Sequence, residues 1–116
     1  MFAAWKKSVA ELAKCENVTM KLGGMMMRLA ALDYMELERP PTSDELARHW
    51  RPYIEPCLEL FGADRCMAES NFPVDKMGIG FAGLFNALKR IVAGCSPDER
   101  AAIFAGTARR VYRLDC

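Results

Sequence analysis

One stretch limits the folds open to this chain more than any other. It is Arg65-Cys66-Met67-Ala68-Glu69-Ser70-Asn71-Phe72-Pro73-Val74-Asp75. A short apolar run at Cys66, Met67 and Ala68 passes directly into polar residues and then a proline. Pro73 has no N–H and a fixed φ, so strand pairing stops there. Gly62 provides the turn that re-aims the preceding helical pattern into this strand. The pattern is that of a buried strand ending at a rim, where Glu69, Asn71 and Asp75 collect at one end. In barrel folds, chemistry is placed at that end of the strands.

A second strand signal precedes it. Residues 18–22, Val-Thr-Met-Lys-Leu, are closed by Gly23-Gly24. Alternation puts Val18, Met20 and Leu22 on one face, with Thr19 and Lys21 on the other. An inward lysine at the C-terminal end of a strand is expected to line a polar cavity. Between the two strands lies a long helical crossover. Helices also precede the first strand and follow the second, which is the βαβ pattern of a parallel sheet.

The flanking helices are legible in turn. Phe2, Trp5, Val9, Leu12 and Ala13 recur at helical spacing opposite Lys6, Lys7, Glu11 and Lys14. Thr42 and Glu45 have capping-box spacing, so a helix is expected from about Ser43, broken or kinked at Pro52 and Pro56 to leave a second piece over 53–61. Apolar positions from Ile79 to Val92 predict an amphipathic helix stopped by Gly94. Ser96-Pro97-Asp98-Glu99 is a helix start with serine cap, proline at the first position and glutamate three residues on. Met25-Met26-Met27 reads as helix-start packing or as an adaptable apolar binding surface.

Composition narrows the function classes. With 52% hydrophobic residues, the 116-residue chain is globular and long enough for a real core, so residues 1–116 are expected to be one domain or a piece of one. Sixteen basic against fifteen acidic residues leave a net charge of +1. This gives no reason to expect a nucleic-acid or membrane partner. No apolar run approaches the roughly 20 residues of a membrane span. The start of the chain lacks the order of a secretory signal, and the cytosol is the expected compartment. The five cysteines, Cys15, Cys57, Cys66, Cys95 and Cys116, contain no C-x-x-C pair. They are expected to be buried small hydrophobes plus one exposed terminal thiol, with Cys66 inert inside its strand. His49 is the only histidine and is expected on a helix surface or in helix packing, since no second histidine is available to share a metal.

The residues carry a resemblance. Asn17-Val18-Thr19-Met20-Lys21-Leu22-Gly23-Gly24 resembles the "NV-x-x-K-L-S-G" strand of the amidohydrolase-related, lactonase-like family. Residues 61–75 resemble its "FG-x-DR-x-M-x-x-S-[ND]-[FW]-P" segment, and residues 99–112 are similar to its closing helix. The resemblance implies an α/β fold, a partial (β/α)8 TIM barrel. The chain would supply strands seven and eight and their helices as a C-terminal fragment of a barrel of roughly 250 residues. It implies hydrolysis of a small-molecule carbonyl compound (lactone, ester or amide) by water. In the full-length parent the water is activated by a divalent metal, zinc or manganese, or, as in some members, by protein groups alone; no metal is expected for this chain by itself.

The family's metal-binding histidines lie on earlier strands, and none maps here. Its eighth-strand residue, commonly an aspartate acting as base or metal ligand, maps onto Asn71. Asparagine cannot take a proton from water at neutral pH. If Asn71 points into the barrel, strand alternation turns Glu69 and Met67 inward with it, and Ala68 and Ser70 face the outer helices. Glu69 then supplies a carboxylate about 7 Å lower along the strand, with Lys21 as partner; the other reading of that pair is purely structural. Asp75, Phe72 and Met25 are candidate substrate contacts, with helix capping the alternative for Asp75. Two strands alone leave both sheet edges unpaired. The chain is therefore expected to need its missing barrel strands or a homo-oligomer, and to be inactive by itself. The alternative is a non-catalytic interaction module that pairs its open sheet with another chain.

Overall fold

The computed structural model describes residues 1–26 and 37–115, the side chain of residue 77 excepted. Met27 and the Cys116 thiol therefore lie outside the described residues. The elements are α1 (Phe2–Ala13), β1 (Met20–Leu22), α2 (Ser43–Phe61), β2 (Cys66–Ala68), α3 (Phe81–Ile91), α4 (Pro97–Ala101) and α5 (Thr107–Tyr112). Short 3-10 turns occupy Ala63–Arg65 and Val74–Met77, and a π-helical stretch, Ala102–Gly106, joins α4 to α5. The chain forms two compact units. The first comprises residues 1–22, 53–68 and 95–116; the second comprises 23–52 and 69–94.

In the first unit, β1 and β2 pair in parallel, with Met20 opposite Cys66, Lys21 opposite Met67 and Leu22 opposite Ala68. This is the parallel pairing expected from the two apolar runs. Each strand has only three residues. Val18 donates its N–H to the Cys15 carbonyl (3.0 Å). That turn takes it out of the ladder, so the first strand is shorter than its apolar pattern. Leu22, Cys66 and Met67 are buried, with Val9, Ile54, Cys57, Phe61 and Ile103 completing the apolar interior. The π-helical stretch and α5 pack against β2. α1 lays its aromatic positions on Tyr53: the Phe2 and Trp5 rings stand 5.1 and 5.4 Å from it, edge-on.

Arg65 organises this unit. Its guanidinium donates to the carbonyls of Ala13 (2.9 Å), Cys15 (3.0 Å), Val18 (3.4 Å) and Phe61 (3.2 Å). It also lies over the Phe61 ring at 5.0 Å. α1 ends without a basic residue in its last turn. The orphan carbonyls that every helix C-terminus leaves are here satisfied by a distant cation. Thr107, fully buried, donates its hydroxyl to the Ala63 carbonyl (3.0 Å). Arg110 donates to the carbonyl of Asp64.

α2 is continuous from Ser43 to Phe61, so the expected break at Pro52 and Pro56 does not occur. Each proline removes one intrahelical bond and costs about 3 kcal/mol in a helix interior. Against this, Leu46, Ala47, Trp50, Ile54, Cys57 and Phe61 are all buried along one helical stripe. Burying a large apolar side chain contributes roughly 1.5–3 kcal/mol, and several together outweigh two missing donors. The start of α2 is as its spacing predicts. Thr42 N–H meets Glu45 Oε2 at 2.8 Å, and Glu45 N–H meets Thr42 Oγ1 at 3.2 Å.

In the second unit, α3 begins at Phe81 after Gly80 and ends at Ile91, with Val92 rather than Gly94 at its C-cap. Leu84, Ala87, Leu88 and Ile91 are its buried face. Arg90 reaches Ser43 Oγ (3.0 Å) and Asp44 Oδ1 (3.0 Å) at the start of α2. Back in the first unit, Ser96 and Glu99 complete a reciprocal capping box with Pro97 opening α4, as the sequence requires. No helix among the described residues is long and apolar enough to cross a membrane.

Candidate functional site

β2 ends at Ala68, and the polar residues that follow it belong to the second unit. Strand alternation therefore does not carry on to Asn71. That residue has φ +52°, in the left-handed region, where asparagine is among the few non-glycine residues tolerated. The Asn71 carbonyl accepts from the Asp75 N–H (3.3 Å). Its side-chain Nδ2 donates to Asp75 Oδ1 (3.1 Å). Asn71 and Asp75 are thus bound twice, through main chain and side chain, across the Phe72–Pro73–Val74 corner.

Asp75 is 2% exposed. Its expected role as cap of the next helix is not what the structure contains. It sits inside the 3-10 turn Val74–Met77, and α3 starts at Phe81 behind a Gly80 N-cap with no side-chain bond. Only its main-chain carbonyl serves the next turn, accepting from Gly78 (3.1 Å) and Ile79 (3.2 Å). Asp75 Oδ2 has no hydrogen-bond partner among the described residues. Burial pushes this carboxyl above its ordinary range. The Asn71 bond draws it back down, and the Glu69 charge raises it again.

Glu69 is half-buried and folds over Gly23. A Cβ placed on Gly23 would overlap Glu69 Cγ and stand 2.8 Å from both Cδ and Oε1. The glycine is therefore what admits the Glu69 side chain. Periodicity could not have shown this, because it marks Gly23 only as a strand terminator. Ser70 Oγ accepts from the Phe72 N–H (3.3 Å). Phe72, half-buried, meets the Phe81 ring edge-on at 5.3 Å, and Phe81 leans on Phe85 at 4.7 Å. Phe81 remains 56% exposed and Val74 47%. A polar corner and an exposed aromatic edge thus lie side by side.

The other expected residues are placed as follows. Lys21 sits mid-strand in β1 opposite Met67, so the two share a sheet face as alternation predicts. Its side chain is exposed, which differs from the enclosed, cavity-lining lysine expected from the pattern. Three-residue strands leave little sheet to enclose a long side chain. Met25 is half-buried in a turn, beside the buried Met26; neither residue opens a helix within the described range. His49 is exposed on α2. Cys66 is fully buried, and desolvation pushes its thiol up to about 12, a poor nucleophile. Among the described residues, no group of three or more His, Cys, Asp or Glu side chains could hold a metal ion. These residues on their own do not fit a divalent metal.

Comparison with known proteins adds the following. A family model described as amidohydrolase matches residues 1–114. The chain is 36% identical over 113 residues to the uncharacterised protein y4mH of Sinorhizobium fredii, covering 97% of this chain and 34% of that protein. It is 32% identical over 120 residues to the L-fucono-1,5-lactonase of Burkholderia ambifaria, covering 97% of this chain and 36% of the lactonase. A crystal structure of a Burkholderia multivorans amidohydrolase with bound zinc superposes with a TM-score of 0.82 at 29% identity, over 97% of this chain and 38% of that one. The chain therefore spans about a third of the length of the relatives it matches.

Proposed function

The chain belongs to the amidohydrolase family, and from that premise we propose that it contributes part of the active-site rim of a hydrolase in which water attacks a lactone, ester or amide carbonyl. The substrate class favoured is a lactone, because two relatives over this stretch are L-fucono-1,5-lactonases. The parent fold in this reading is a (β/α)8 barrel, with β1 and β2 as two neighbouring staves and the remaining strands lying outside these 116 residues. The two strands described close no barrel, so turnover in this reading requires the further strands of the fold. A divalent metal in the complete enzyme would be held by residues outside the described set.

The single observation that carries this reading is the corner at 69–75. A half-buried carboxylate is tucked over Gly23, and a buried carboxyl is tied to Asn71. Together they stand next to an exposed aromatic edge. Glu69 is assigned the removal of a proton from the attacking water. Asn71 is assigned the orientation of that water or of the substrate, which its neutral amide can do and proton abstraction it cannot. Phe72 and Phe81 offer an apolar face to a ring-shaped substrate.

The test is complementation. Lactone, ester and amide hydrolysis are followed for the chain alone and after co-folding with the part of a full-length relative that it does not match. Turnover should appear only in the co-folded sample and should disappear in Glu69→Gln. A well-folded complex that hydrolyses none of the three, or one that Glu69→Gln leaves at full rate, overturns the reading. The alternative of a non-catalytic module is favoured by one observation: among the described residues, β1 and β2 pair only with each other, which leaves both edges of that sheet open. It predicts a stable, inactive complex.

A further inference from the structure

The Asn71–Asp75 contact does not look like packing alone. A buried carboxyl with one oxygen unsatisfied by any described residue costs about 1–3 kcal/mol, and an apolar side chain would fill the same corner without that cost. What the carboxyl does contribute is direction. An ionised carboxylate has only acceptors to offer, so an asparagine facing it must present its NH2 group. The Asn71 amide is consequently fixed in one of its two orientations. Its Oδ1 accepts no hydrogen bond from a described residue, and the left-handed backbone at Asn71 is closed by the second bond, from the Asp75 N–H to the Asn71 carbonyl.

We propose that Asp75 is a positioning residue for Asn71, holding its NH2 inward and reserving its carbonyl oxygen as the acceptor for a water or for a substrate hydroxyl. This rests on the reading of residues 69–75 as the active-site rim and goes beyond it by dividing the labour. Asn71 touches the reactant, and Asp75 acts through Asn71. The charged neighbour whose field reaches Asp75 is Glu69. Lys76, next in the chain, is exposed.

The experiment is side-chain NMR on the isotope-labelled 116-residue chain co-folded with the part of a full-length relative that it does not match, following the Asn71 Nδ2 group and the Asp75 carboxyl carbon through an acid titration. The Asn71 amide should shift with the same midpoint as the Asp75 carboxyl. Asp75→Asn keeps the shape and should abolish that shift. Asn71→Ala should move the Asp75 midpoint upward, because the bond that favours the anion is gone. Glu69→Gln should move the midpoint downward with Asn71 still following. An Asn71 resonance that stays flat while Asp75 titrates overturns the proposal. So does an Asp75 midpoint unchanged in Asn71→Ala, which decides the matter even where Asp75→Asn fails to fold. None of these readouts needs turnover. A missing Asn71–Asp75 coupling therefore leaves the hydrolytic reading to its own assay, and an inactive co-folded complex leaves this coupling measurable.

Discussion

At the scale of single residues, the first unit is gathered by one cation, and in the second a glycine makes room for the Glu69 side chain. Arg65 gathers four carbonyls from two separate stretches of the chain, 13–18 and Phe61. Hydrogen bonds to charged groups contribute about 1.5–3 kcal/mol each when buried, and Arg65 is only half-buried. Arg65→Ala should therefore lower the unfolding free energy by about 2 kcal/mol or more in a denaturant titration. Arg65→Lys should recover little of it, since an ammonium cannot reproduce the planar fork. Gly23→Ala should act mainly through Glu69. The new Cβ displaces a flexible side chain, so melting should change modestly while hydrolysis in the co-folded enzyme falls as far as in Glu69→Gln. A full-rate Gly23→Ala enzyme would show that Glu69 need not lie over that glycine.

Among the elements, α2 is the most informative. Its two prolines are strong local stop signals, yet the buried stripe from Leu46 to Phe61 holds the helix through both. Pro52 is exposed, so Pro52→Ala should stabilise the chain by about 2 kcal/mol, a restored donor offset slightly by a more flexible unfolded chain. A loss of stability would mean that the helix needs the irregularity. The N-terminus of α2 also has a pH signature. The Arg39 guanidinium beside Glu45 (2.8 Å), with the Thr42 N–H, lowers the Glu45 carboxyl from 4.5 to about 2. Its folded value lies below its unfolded one, so its contribution is present above the unfolded value and is lost as pH falls from about 4.5 through about 2. Comparing melting of wild type and Glu45→Gln across that window should show the difference between them shrinking towards the acid end. A constant difference would contradict the pairing.

For the whole molecule, the decisive fact is that the described residues form a two-stranded parallel sheet in a chain that spans about a third of its relatives. Parallel strands are ordinarily covered on both faces and accompanied by more than one neighbour. Under the barrel reading, the amides of β1 and β2 should exchange with solvent quickly in the isolated chain. They should become protected when the complementary part is added, together with a sharper melting transition. Slow exchange and a cooperative melt in the isolated chain would favour the self-sufficient module instead.

Sequence alone determined the elements that depend on near neighbours: both capping boxes, the amphipathic faces of α1 and α3, and the parallel pairing implied by two apolar runs about a long crossover. These are encoded by spacings of three, four or two residues, and local physics reads them directly. It also carried the family resemblance, through the residues around Gly62 and Pro73. Long-range geometry was left to the tertiary structure. Arg65 meets α1 across some fifty residues, Gly23 makes room for Glu69, and the turn after Ala68 re-aims Asn71 onto Asp75 instead of letting alternation continue. Such contacts are set by where the chain returns in space, and no periodicity records them.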